Sequence, residues 1–275
     1  MASDIRIRRA VRGFLGVVHL PAFPGDPRHD GASFGALEDR ALADAEALVE
    51  GGVDGLILEN FGSAPFIKGT GAARTPPHQV ATLALLAREC SRRLGVLVGV
   101  NCLRNDAESA LGIAAAAGAS FIRVNVHTGA YVTDQGVIEG RAHDTLRYRQ
   151  ALGAEGVSIL ADVLVKHAAP LAPLTPTAAV HDCLQRGLAD AVIVTGEATG
   201  APVSVELLEE VRGAAGTAGV FIGSGLTPER VEALAPLADG AIVGTWLKQG
   251  GDVHAPVDPA RVREMAGVLQ DRLRS

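Results

Sequence analysis

Apolar and polar positions follow a repeating plan along this chain. Eight short apolar runs, GVVH, LILEN, VGVN, IRVN, LADV, VIVTG, FIGSG and AIVGT, each stop at a polar residue or glycine. Between them the apolar spacing changes to that of amphipathic helices, so the chain reads as repeated strand-helix units. The runs predict strands over 14–19, 54–59, 96–101, 120–125, 158–166, 190–195, 219–223 and 240–244. Continuous apolar runs such as VIV and AIV indicate strands covered on both faces, as in a parallel sheet. Helix starts are marked where a capping oxygen precedes a proline, at Thr75-Pro76, Thr175-Pro176, Thr227-Pro228 and Asp258-Pro259. Asn105 with Glu108 reads as a capping box. The expected fold is α/β, a single-domain (β/α)8 TIM barrel over 1–275, with an open doubly wound sheet as the structural rival.

In a closed parallel barrel the loops after the strands converge on one mouth. That geometry would bring His19, Glu59, Asn60, Asn101, Arg123, Asn125, Asp162, Thr195, Ser224 and Thr245 around one ligand. Three long connections, 20–34, 61–75 and 126–140, follow strands and so belong to the mouth, where long loops serve as lids or binding segments.

Composition narrows the partners. The chain of 275 residues is 48% apolar but only 4% aromatic, which suits a layered core of small and medium side chains. A net charge of -6 gives no general attraction for phosphate backbones or anionic lipid, so no nucleic-acid or membrane-surface partner is expected and any anion site must be local. Cys90, Cys102 and Cys183 are few and widely spaced, which suggests a reducing, cytoplasmic setting. The basic N-terminal stretch leads into a short apolar run that reads as the first strand rather than a signal peptide, and no run is long enough to span a membrane.

Three constellations carry chemistry. Glycines after the last two strands, in FIGSG and AIVGT, would let backbone N–H groups approach an anion closely. Gly223, Ser224, Gly225, Gly244 and Thr245 are therefore the expected phosphate seat, although the same glycines also suit tight turns and close packing. On the fifth strand, period-two alternation puts Asp162, Leu164 and Lys166 on one face, so the carboxylate and amine could share acid-base chemistry or, with a desolvated lysine, Schiff-base chemistry; a plain salt bridge is the rival. Arg123 lies two residues before Asn125 on the same face and needs a carboxylate, which Glu59 or Asp162 could supply.

His19, Glu59 and Asp162 are also types that bind a divalent metal, but they lack a fixed ligand spacing, so no metal ligand is assigned and no cofactor is expected, with a divalent metal left open as the alternative. His127 and His143 flank the long loop after the fourth strand and could reach the mouth, whereas His78, His181 and His254 are expected on helices or outer loops. No GxSxG elbow, Walker loop or dinucleotide fingerprint follows the first strand.

Longer segments carry a family resemblance. GVVHLPAFPGDPRHDG, GGVDGLILENFGSAPF, GVNCLRNDAESALGIAAAAGASFIRVN, ILADVLVKHA, ADAVIVTGEATG, FIGSGLTPERV and DGAIVGTWLKQGG together resemble the BtpA/SgcQ family, in order from about residue 13 to 265. The resemblance implies a barrel of the ribulose-phosphate-binding type. It also implies matched motif positions that include Arg28, Arg104 and Lys248 besides the strand-end residues above. PGDPR departs from the usual serine before proline, which changes a loop residue outside the expected site.

One branch of that family is associated with photosystem I biogenesis and another with sugar uptake and metabolism. The expectation is therefore an enzyme acting on a small phosphorylated sugar or nucleoside-like metabolite, by lyase, isomerase or glycosyl-transfer chemistry. Glu59, Asp162 and Lys166 are its expected catalytic residues, and His19, Asn60, Asn101, Arg104, Arg123, Asn125 and Thr195 its expected substrate contacts. The alternative is a non-catalytic assembly factor. A homo-oligomer is left open.

Overall fold

In the computed structural model the strand ends do meet. The structure describes residues 11–196, 200, 202–270 and 272–273. In chain order the elements are β1 (Gly13–His19), α1 (Phe34–Glu50), β2 (Gly55–Glu59), α2 (Pro77–Arg93), β3 (Leu97–Asn101), α3 (Ala107–Ala117) and β4 (Phe121–Val124). There follow β5 (Ala130–Thr133), β6 (Gly136–Glu139), α4 (Ala142–Ala151), β7 (Ser158–Val163), β8 (Ala168–Pro170), α5 (Pro176–His181) and β9 (Ala191–Val194). The chain closes with α6 (Val205–Ala215), β10 (Gly219–Ile222), α7 (Pro228–Leu234), β11 (Gly240–Val243) and α8 (Pro259–Leu269).

Eight strands form a closed barrel in the order β1-β11-β10-β9-β7-β4-β3-β2, every neighbouring pair parallel. Closure excludes the open-sheet alternative. Period-two alternation explains both the core and the site. Inward positions carry Leu15, Val17, Ile57, Leu97, Phe121, Leu160, Ile193, Phe221 and Ile242, which pack together inside the barrel. Outward neighbours such as Val18, Leu58, Val100, Ile122 and Val220 join the larger layer beneath the helices. One step beyond the inward apolar positions lie His19, Glu59, Asn101 and Arg123. Strand register keeps these ends level, with His19 opposite Glu59 and Glu59 opposite Asn101. Gly99 and Gly240 admit the two large interior rings, since a Cβ at either would lie 2.2 Å from Phe121 or Phe221 respectively.

Several local expectations change. The fifth barrel strand ends at Val163, not 166, because Leu164 (φ 51) and His167 (φ 55) turn into the left-handed region and break the alternation. The 126–140 segment folds into the antiparallel hairpin β5–β6, and β8 adds to it as a third strand. Tyr131, Ile138, Val126 and Val165 fill the space beneath this small sheet. Buried Tyr131, its hydroxyl pKa pushed up to about 12 by burial, is hydrogen-bonded to the backbone of Leu164 and so anchors the turn that carries Lys166.

Thr175 and Asp258 cap their helices through side-chain oxygens, as expected. Thr227 stands at its helix start without bonding the first-turn amides, and Thr75 lies one residue too early because α2 starts at Pro77. Asp106, not Asn105, caps α3, accepting from Ser109 N at 3.0 Å. Among the described residues no helix is long and apolar enough to cross a membrane.

Candidate active site

Two adjoining cavities of the mouth share a wall. The first, about 180 Å³, lies under β1, β10 and β11 and is lined by His19, Gly223, Ser224, Gly225, Gly244, Thr245 and Trp246. The second, about 170 Å³, is lined by Arg28, Asn101, Arg104, Asn125, His167 and His254. Glu59, Phe61, Arg123 and Lys166 belong to both and form the wall between them.

Arg123 is the fixed centre of that wall. Its Nε and Nη2 donate to the two carboxylate oxygens of Asp162, each at 3.0 Å, and Asn125 Nδ2 adds a third bond to Asp162 at 2.8 Å. Burial works against the charge of Arg123, but Asp162 and Glu59 outweigh it, so its pKa is raised. The pair predicted from spacing exists; both Asp162 oxygens are taken by Arg123 and Asn125, and Asp162 lines neither cavity. Glu59 Oε2 accepts from Asn101 Nδ2 at 2.8 Å, which leaves Glu59 as the carboxylate of the wall.

Lys166 reaches the same wall from the turn after β7. Burial first, then the Arg123 charge, lowers its pKa to about 8, with Glu59 and Asp162 opposing. Its backbone carbonyl accepts from Arg104 Nη2 at 2.7 Å, so a cation of the second cavity holds the lysine turn in place. Neither Lys166 nor Arg104 makes an ion pair among the described residues.

At the first cavity Gly225 has φ 64, a backbone shape other side chains resist, and a Cβ on Gly244 would lie 2.6 Å from the His19 ring. Ser224 Oγ accepts from Gly196 N at 2.9 Å, linking this loop to the end of β9. The neighbourhood is incompletely bonded: His19 Nδ1, Asn125 Oδ1 and Thr195 Oγ1 are buried without partners among the described residues. Burial, followed by the charges of Lys248 and Lys166, holds the His19 imidazole well below its usual pKa, so it is neutral and can donate or accept.

Other expected residues serve the scaffold. Asn60 lines neither cavity; its Oδ1 accepts from Leu103 N at 2.7 Å and shapes the loop after β3. Thr195 packs beside Gly223 and lines neither cavity. Asn105 bonds Val126 twice, at 2.8 and 2.9 Å, holding the end of β4. His127 is buried against Gly187 O at 2.8 Å and His143 lies on α4, so neither reaches the mouth; His254, expected outside, lines the second cavity. Phe61 and Trp246 were not anticipated, because a ring on an irregular loop leaves no periodic signal. Loop length alone pointed toward Phe61. Among the described residues no group of three or more His, Cys, Asp or Glu is arranged to hold a metal ion.

Fold and site together define a (β/α)8 barrel with a polar mouth divided around one lysine and one carboxylate. The chain belongs to the BtpA family, whose model matches residues 10–271. It is 46% identical over 261 residues to the photosystem I biogenesis protein BtpA of Synechocystis sp., covering 95% of this chain and 89% of that protein. Among solved structures it resembles tryptophan synthase from M. tuberculosis, at TM-score 0.56 and 20% identity over 96% of this chain and 94% of that one. It also resembles phosphoribosyl anthranilate isomerase from Thermococcus kodakaraensis, at TM-score 0.56 and 13% identity over 95% and 100%. At such identities these two likenesses establish the barrel fold alone.

Proposed function

We propose that this protein is an enzyme acting on a small phosphorylated sugar or nucleoside-like metabolite. The phosphate occupies the cavity bounded by Ser224, Gly225, Gly244 and Thr245, and the reacting carbons lie against Lys166 and Glu59. The observation that carries this reading is the shared wall: an amine whose pKa is lowered to about 8 stands beside a buried carboxylate, between a glycine-lined and an arginine-lined cavity. An amine of that kind is partly neutral near physiological pH and can exchange a proton with substrate or add to a carbonyl carbon. Arg123, locked by Asp162, would hold negative charge that develops on a substrate oxygen.

Calorimetric titration with sugar phosphates and nucleoside phosphates tests the proposal. Binding that is lost in Gly225→Val and Gly244→Val, with folding retained, is expected. Absence of binding, or binding indifferent to both substitutions, would defeat it. Borohydride reduction in the presence of a bound carbonyl compound then separates the two chemistries: a stable adduct on Lys166 marks addition to a carbonyl, and none marks proton transfer.

A second reading has its own support in the 46% identity to a protein named for photosystem I biogenesis. On that reading the chain assists assembly of a protein complex. A stable complex recovered from lysate with Lys166→Met and Glu59→Gln as readily as with the unmodified chain would favour it.

A further inference from the structure

The two cavities differ in charge. Arg28, Arg104, Arg123 and Lys166 line the second, and Glu59 is the one carboxylate among its lining residues. Arg123 is matched by Asp162, but Arg104, itself buried, makes no ion pair among the described residues, and Lys166 makes none either. A buried guanidinium without a counter-charge is costly. In a chain of net charge -6 this cationic well is a local construction and not a general property of the surface. Asn125 provides a second and independent sign. Its Nδ2 is committed to Asp162, while its Oδ1 is buried, has no partner among the described residues and belongs to a residue that lines this cavity. An orphaned acceptor there calls for a ligand donor.

We infer that the second cavity receives a second anionic group of the same ligand, a carboxylate, with a neighbouring hydroxyl donating to Asn125 Oδ1. This inference rests on the proposed phosphate seat and extends it: the substrate is a phosphorylated hydroxy acid carrying phosphate at one end and carboxylate at the other. Arg104 and Arg28 bind the carboxylate, since a guanidinium matches a carboxylate with two parallel bonds. Lys166 and Glu59, between the two ends, then face the interior carbons of the ligand. Arg104 also holds the Lys166 carbonyl, so seating the carboxylate would fix the turn that carries the amine.

The experiment uses matched pairs that share a phosphate and differ at the other end: erythrose 4-phosphate with 4-phosphoerythronate, ribose 5-phosphate with 5-phosphoribonate, and glucose 6-phosphate with 6-phosphogluconate. Titration of the intact protein is expected to show at least one acid binding about tenfold or more tightly than its partner aldose, a factor that corresponds to about 1.4 kcal/mol. Arg104→Met should abolish that preference while the aldose phosphate still binds. Because Arg104 also touches the backbone, Arg28→Met, on an exposed loop residue, provides a second variant that should reduce the preference without disturbing the lysine turn. Equal binding of acid and aldose in all three pairs would overturn this inference and leave the phosphate seat standing. A preference unchanged in both arginine variants would overturn it too. Failure of all six compounds to bind would remove the phosphate seat and this inference with it.

Discussion

Two buried ion pairs, Lys248–Asp44 and Arg123–Asp162, look alike by distance and burial but differ in their surroundings. Lys248 Nζ meets Asp44 Oδ2 at 2.8 Å, and Val257 N occupies Asp44 Oδ1 at 2.8 Å, so that pair is complete. It ties α1 to the segment after β11 and lines neither cavity of the mouth. Arg123 also has its carboxylate, yet it faces both cavities, and its neighbours include an Asn125 oxygen and a Lys166 amine that find no hydrogen-bond partner and no ion pair, respectively, among the described residues. A buried ion pair is thus weak evidence for a site, while unsatisfied polar atoms around it are strong evidence.

The largest effect should come from breaking the complete pair. Asp44→Ala leaves Lys248, 1% exposed, with no counter-charge, and is expected to cost about 3–5 kcal/mol in urea unfolding. Asp162→Ala should cost less, about 1–3 kcal/mol, because Arg123 borders two cavities that admit water. It should nevertheless remove most ligand affinity, since Arg123 loses its fixed direction. Equal destabilisation by the two substitutions, with sugar-phosphate binding intact in Asp162→Ala, would erase the distinction.

Next in size are the glycines of the first cavity. Gly223→Ala places a Cβ 2.3 Å from Ile193 Cγ2, and Gly244→Ala one 2.6 Å from the His19 ring. Each should cost about 1–3 kcal/mol through overpacking. At Gly225 the cause is backbone shape, φ 64, and about 1–2 kcal/mol is expected for alanine. Thermal unfolding measures all three. Gly225→Ala equal to the parent in both stability and affinity for ribose 5-phosphate would show that this half is a packing device and not a ligand seat.

The barrel was legible because its strands obey one rule, apolar inside and polar at the last inward position, and that rule places His19, Glu59, Asn101 and Arg123 without any knowledge of contacts. The rule fails where the backbone leaves the strand. Lys166 was expected beside Asp162 by alternation, but the left-handed turn at Leu164 delivers it to the wall by a different route. Asn60 and Asn105 are polar residues next to strand or helix ends that bond backbone groups of other loops, at Leu103 and Val126, and such long-range partners have no signature in local spacing. Phe61, His254 and Trp246 come from irregular segments for the same reason. Charge balance was the other hidden quantity: composition reports a net -6, and only the fold reveals four cations around one cavity.

The titration of Lys166 sharpens the contrast between Lys248, which has its carboxylate, and the amine of the wall. An amine with pKa about 8 in the folded state, against 10.5 ordinarily, binds fewer protons when folded than when unfolded across that interval. Stability should therefore rise with pH between those values, and Lys166→Met should flatten the rise. The chain has only three lysines, Lys68, Lys166 and Lys248, so amine labelling followed by mass spectrometry resolves each of them. Lys166 labelling should reach half its limiting rate near pH 8, because the neutral amine is the nucleophile, whereas Lys248, sealed against Asp44, should stay unlabelled in the folded protein. Arg123 is the second cause of the lowered value after burial, so Arg123→Met should move the Lys166 curve to higher pH. A curve already centred at the ordinary lysine value, or one that Arg123→Met leaves in place, would mean that the wall between the cavities does not activate its amine.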